Sequence, residues 1–195
     1  MAKGKPFYGG AYRFARWVVR MYLGRHKIYG KENLRSPAMY VCRHQNMHGP
    51  VHVMAFAPVP LHVWAMYMFF DRKVCHDHLL SYTLTERKHF PPWKARFLSW
   101  LYSVHIVACM RQMQAIPVYR GHKEVLKTFD LTMQALLDGG SIIVFPDIAY
   151  LDMSDTAGTL YTGYLHMCKQ YHKKTGQPLP VIPVCCPVNR RILVF

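Results

Sequence analysis

Apolar positions recur along this chain with two periods, and the changes from one period to the other mark out the elements. Over residues 11–23, Phe14, Trp17, Val18, Met21 and Tyr22 fall on one side of a helix while Arg13, Arg16 and Arg20 form a narrow stripe on the other. After Gly30 short apolar runs alternate with helical stretches. Residues 38–42, 61–68, 116–119, 141–145 and 181–184 read as strands, and the fourth is so apolar that it suits a strand covered on both faces. Residues 51–57 read as a helix with Pro50 at its first position, and 93–110 as an apolar helix after Pro91-Pro92. Residues 124–137 place Val125, Leu126, Phe129, Met133, Leu136 and Leu137 on one face and close on Gly139-Gly140. Residues 159–172 turn Leu160, Tyr164, Met167 and Tyr171 inward and end near Gly176. Helices of this length between strands require right-handed crossovers. The expected class is α/β: a largely parallel central sheet flanked by helices, preceded by an N-terminal amphipathic helix.

Composition narrows the partners. Of 195 residues, 51% are hydrophobic, enough to bury a core, so one domain is expected rather than a disordered chain. The net charge is +15, and more than half of it lies in residues 1–35, which hold nine basic residues and only Glu32 as an acid. A basic helix carrying Trp and Tyr suits the headgroup region of an anionic bilayer, so residues 1–27 read as an interface segment and 28–195 as the domain. Arg13, Phe14, Arg16, Trp17, Arg20 and Met21 are the candidate membrane contacts, and removal of 1–27 is expected to release the protein from vesicles while leaving the domain folded. The alternative is a helix that docks its apolar face on its own domain. No stretch reads as a membrane span: Pro58 and Pro60 break 51–70, and only 14 uncharged residues separate Arg96 from Arg111. No cleavable signal peptide is visible, and six scattered cysteines without a Cys-x-x-Cys pair argue for a reducing cytoplasm and against a zinc ribbon.

In a parallel sheet, ligands gather where strands end. Arg43-His44-Gln45-Asn46 follows the first strand, Tyr119-Arg120-Gly121 the third and Phe145-Pro146-Asp147 the fourth, while Pro183 lies within the fifth. Converging at one edge, they supply a base, a phosphate clamp and an orienting carboxylate. His44, His48 and His52 recur every four residues, which on a continuous helix would align three imidazoles for a metal. Gly49-Pro50 interrupts that spacing, so no metal is expected. Cys75-His76-Asp77-His78 reads as a polar loop, and Cys185 and Cys186 as neighbours on opposite sheet faces.

The order and spacing of these segments resembles the glycerolphosphate and lysophosphatidate acyltransferases, the PlsC-like family. Its blocks read Asn-His-x-x-x-x-Asp, a Gly-x-Ile-Phe-x-x-Arg type, Phe-Pro-Glu-Gly and a Val-Pro-Val-x-Pro type. Here they stand as Arg43-His44-Gln-Asn-Met-His48-Gly49, Ala115-Ile-Pro-Val-Tyr-Arg120, Val144-Phe-Pro-Asp147-Ile148 and Leu179-Pro-Val-Ile-Pro183-Val184. The likeness runs over roughly residues 28–195. It implies transfer of a fatty acyl group from acyl-CoA or acyl carrier protein to a hydroxyl of a lysophospholipid such as lysophosphatidate. His44 would be the base and Asp147 its orienting group. Arg120 would grip the acceptor phosphate, and Phe145, Pro146 and Pro183 would shape the pocket. No cofactor is implied, and the place of action would be the cytoplasmic face of a membrane.

Two departures separate the chain from that pattern. The family's aspartate position holds Gly49, and the Glu-Gly of the third block is Asp147-Ile148. In a serine-protease triad the loss of the corresponding aspartate costs roughly 10⁴ in turnover. A working enzyme therefore needs another carboxylate, Asp147 first and Asp152 or Asp155 second. The alternative is a catalytically impaired relative that binds lipid or serves as a scaffold. Nucleic acid is the weakest partner, because the aromatic residues fall on apolar faces rather than among the basic ones.

Overall fold

The computed structural model describes residues 6–119, 124–154, 156 and 158–195. Five parallel strands form the central sheet: β2 (Met39–Cys42), β3 (His62–Met66), β4 (Ile116–Val118), β5 (Ile142–Val144) and β6 (Val181–Val184), in the order β4-β3-β5-β2-β6. Two further short strands, β1 (Lys27–Tyr29) and β7 (Ile192–Val194), pair with each other in a parallel ribbon. Strand β2 feeds α2 (His48–Phe56) toward β3, whereas its neighbour β5 feeds α6 (Gly163–Thr175) toward β6. Right-handed crossovers in opposite directions place these helices on opposite faces. The buried clusters agree. Tyr40, Cys42 and Ile143 pack with Val53 and Phe56 of α2 on one face. On the other, Met39, Ile142 and Val144 pack with Leu136 of α5 (Val125–Leu137) and Met167 and Tyr171 of α6.

Between β3 and β4 the chain makes a helical excursion: α3 (Arg72–His78), a π-helical stretch (Leu79–Glu86) and α4 (Pro92–Gln112). Its own small core holds Cys75, Leu79, Leu84, Ala95 and Val107. The Cys75–His78 stretch is thus helical rather than a loop, because Asp71 caps it by accepting from the Val74 amide at 2.9 Å. Helix α4 buries small residues, Ala95, Ser99 and Ser103, and both serines satisfy their hydroxyls on carbonyls one turn back. Its large residues Trp93, Phe97, Trp100 and Val104 are exposed, Trp93 at 74%. In α5 the inward row is Thr128, Thr132 and Leu136, with Leu126 and Leu137 exposed. The threonines win the buried row because their hydroxyls bond Pro117 O and Thr128 O, and Thr132 also accepts from Trp64 Nε1.

Helix α1 (Gly10–Leu23) docks by the side that carries Tyr12, Arg16 and Arg20. Tyr8 and Tyr12 are buried in the same cluster as α2, and their hydroxyls donate to Leu61 O and Met54 O. Arg16 donates to Ala55 O and Ala57 O, and Arg20 to Ala55 O. Both guanidinium groups therefore sit on the carbonyl end of α2, the negative pole of that helix. Phe14, Trp17, Val18, Met21 and Tyr22 point outward, with Trp17 57% and Met21 68% exposed. Tyr8 and Tyr12, before residue 27, thus share one core with residues after it.

Candidate functional site

Strands β2 and β5 lie side by side and deliver their carboxyl-terminal residues to one edge. Beyond Cys42, the backbone turns through Gln45, Asn46 and Met47, all with positive φ (43°, 48° and 74°). Three consecutive side-chain-bearing residues in the left-handed region cost about 1–3 kcal/mol each, and such strain persists only where neighbours impose it. The neighbours here are the residues after β5. Asp147, buried to 6% exposure, accepts from the His44 amide at 2.5 Å and from Arg43 Nε at 3.0 Å. Arg43 also donates to Ser154 O and reaches Asp152 at 3.4 Å. The Asn46 amide donates to Tyr150 O, and the buried Gln45 side chain donates to Ser154 O. The Ser154 amide and hydroxyl, with Arg43 beside them, hold the Asp152 carboxyl below its ordinary range. A hydrogen bond to Tyr82, then burial, pushes the Tyr150 phenol up.

His44 lies against Phe145 and Tyr150, both edge-on to its ring at 6.1 and 5.6 Å between centroids. Its Nδ1 faces the Met47 amide, which donates to it at 3.3 Å. In the neutral imidazole this places the proton on Nε2. In that tautomer Nε2 carries a proton that can be donated to an oxygen, the role a neutral imidazole takes when it polarises a carbonyl. To accept a proton at Nε2 it must adopt the other tautomer and lose the Met47 hydrogen bond. Asp147 does stand beside His44, but its two oxygens serve the Arg43 guanidinium and the His44 backbone. Through those bonds it fixes where the loop runs.

Position 49 admits only glycine. A Cβ built there would lie 1.8 Å from Arg43 O and 3.4 Å from Cys42 Sγ. The start of α2 passes so close to the end of β2 that only glycine fits. Pro146 is buried and Phe145 partly so beside the His44 ring. Pro183 is exposed on β6, the edge strand, in register with Val41, where the absence of an N–H is tolerated. Arg120 and Asp155 lie outside the described residues. The helical excursion borders the site through Tyr82 on Tyr150 and Arg87 on Asn46. The sequence reading named Arg43 and Gln45 only as members of the segment around His44, without a role, and missed Tyr150. Polar residues directly after an apolar strand were the signal available.

His48 and His52 belong to a different group. Helix α2 starts at His48 despite Pro50, because a proline in the first turn forfeits no intrahelical hydrogen bond. His48 and His52 therefore stand one turn apart with rings 3.9 Å between centroids, and His44 lies outside the helix. Cys186 Sγ is 3.4 Å from His48 Nε2. Burial, with Cys185 nearby, pushes the Cys186 thiol up to about 12, and burial first among several causes lowers both His48 and His26. Cys185 is exposed and Cys186 buried.

No family model, curated protein or solved structure matches this chain.

Proposed function

We propose that the protein is an acyltransferase of the membrane surface, moving a fatty acyl group from an acyl thioester to a hydroxyl of a lysophospholipid. The observation that carries this reading is the setting of His44. It sits at the carboxyl edge of a parallel sheet, on a strained turn held by the Asp147–Arg43 pair, in a molecule whose α1 turns aromatic and aliphatic residues outward. Such an edge is where parallel α/β sheets bind ligands, and strained backbone gathers at working sites. Trp17, Met21 and Phe14 reach the acyl-chain boundary of the cytoplasmic leaflet, where the acceptor lipid resides. Arg13, exposed on the same helix, and the basic surface attract anionic headgroups and the donor, acyl-CoA or acyl carrier protein. Arg120 takes the acceptor phosphate.

A second reading, a lipid-binding relative without turnover, is favoured by the Met47 amide on His44 Nδ1 and by Gly49 at the position of the family's aspartate. One experiment separates the two. Thiol release from acyl-CoA and acyl carrier protein is followed against a panel of lysolipids, for wild type and His44→Ala, with lipid binding measured in parallel. Turnover lost in His44→Ala supports the enzyme. Stoichiometric lipid binding with no turnover in either protein refutes it in favour of the binder.

A further inference from the structure

We infer that His48, His52 and Cys186 form a binding site for a thiophilic divalent cation, Zn²⁺ by its chemistry, which ties the start of α2 to the segment after β6. One donor atom from each of the three lies within 4.8 Å of the others. The His48 Nε2 to Cys186 Sγ separation of 3.4 Å matches the edge of about 3.5 Å that Zn–N and Zn–S bonds give at a tetrahedral centre. Two nitrogens and one thiolate form a set that suits zinc over magnesium or calcium, which take oxygen.

The tautomer of His52 is already arranged, and the His48 ring also hydrogen-bonds to the backbone of Pro187 and Cys186 in the segment that carries the thiol. His52 Nδ1 is 2.8 Å from His48 O, and a carbonyl only accepts, so Nδ1 carries the proton and Nε2 presents a lone pair. A ligating histidine that donates its other N–H to a backbone carbonyl is the usual supporting arrangement at zinc. His26 repeats it. Its Nδ1 donates to Gly24 O at 3.2 Å, its ring lies 5.1 Å from that of His52, and its Nε2 is buried with no hydrogen-bond partner among the described residues. A buried acceptor without a partner is a costly feature that a cation with its water, or direct ligation, would relieve. The neighbouring imidazoles and the buried sulfur come from three separate stretches: the residues after α1, helix α2, and the residues after β6. A shared ion offsets the cost of bringing them together. The site is independent of any chemistry at His44.

The test uses the full chain purified without a polyhistidine tag, titrated with Zn²⁺ and, separately, with Co²⁺. One equivalent of Zn²⁺ is expected to bind tighter than about 1 μM. The Co²⁺ form should show thiolate charge-transfer absorption and intense visible bands of tetrahedral coordination. Cys186→Ser should abolish the charge-transfer band and weaken Zn²⁺ at least a hundredfold, His52→Gln should weaken it comparably, and Cys185→Ser should change neither. A wild-type Co²⁺ spectrum without sulfur ligation overturns the proposal with no substitution needed, so a variant that fails to fold does not obscure the result. Loss of the band in Cys185→Ser but not in Cys186→Ser overturns the assignment as well.

Discussion

Replacing Gly49 tests both the fold around His44 and the reason that position 49 is glycine. In Gly49→Ala the new methyl would lie 1.8 Å from Arg43 O, more than an ångström inside the 3.0 Å that real Cβ contacts respect. The obstacle is a backbone carbonyl at the end of a buried strand, so no side chain can swing away. Either β2 or the first turn of α2 must shift, and the turn that carries His44 shifts with it. Overpacking of a core costs about 1–3 kcal/mol, and an obstacle made of backbone belongs at the upper end. For a chain of this size about 3 kcal/mol lowers the melting temperature by roughly 6–12 °C. Thermal and urea denaturation followed by circular dichroism measure it, with an unchanged urea slope showing that the denatured state is not at issue. Gly49→Asp should be at least as destabilised and should not raise thioester turnover. A Gly49→Ala protein within about 0.5 kcal/mol of wild type, or a folded Gly49→Asp with faster turnover, would refute the close-approach argument.

Asp147→Ala leaves the Arg43 guanidinium and the His44 amide without their shared acceptor, and is expected to cost about 2–3 kcal/mol in urea denaturation. Trp17→Ser combined with Met21→Ser removes exposed apolar area that contributes about 1 kcal/mol or more per residue at a bilayer, so binding to anionic vesicles in a sedimentation assay should fall at least tenfold with no loss of stability. Arg16→Met should do the reverse, lowering stability by roughly 2 kcal/mol while vesicle affinity changes little, because that guanidinium serves α2. Removal of residues 1–27 strips Tyr8 and Tyr12 from the core and should leave a protein without a cooperative thermal transition. Burial lowers the His78 pKa below its ordinary 6.5, so the unfolded chain binds the extra proton first. Stability from this group is complete above about pH 6.5 and declines as pH falls toward the folded value, and His78→Gln should flatten that acid-side slope in denaturation curves taken at several pH values.

The five strands of the sheet were legible because each is a short apolar run bounded by turn residues, and β5, covered on both faces, is apolar throughout. Helix α1 shows the limit of the same reading. Periodicity separates its arginine and tryptophan sides, yet it does not say which side meets the domain. That depends on what lies opposite, and what lies opposite is the carbonyl end of α2 together with slots for Tyr8 and Tyr12. The outward face of α1 thus became the apolar one. In α5 a count of apolar residues favoured Leu126 and Leu137, whereas the buried row is held by threonines whose hydroxyls find acceptors.

By itself the sequence determined the α/β class, the order of the elements and the fact that His44 and Asp147 fall at strand ends, since these follow from period, length and turn chemistry along one stretch of chain. Only the tertiary structure decided how Asp147 is used, why position 49 must be glycine and that Cys186 meets His48 and His52. Those outcomes rest on distances between segments far apart in the chain, and such distances are set by how strands pair and helices cross, not by the residues of any one segment.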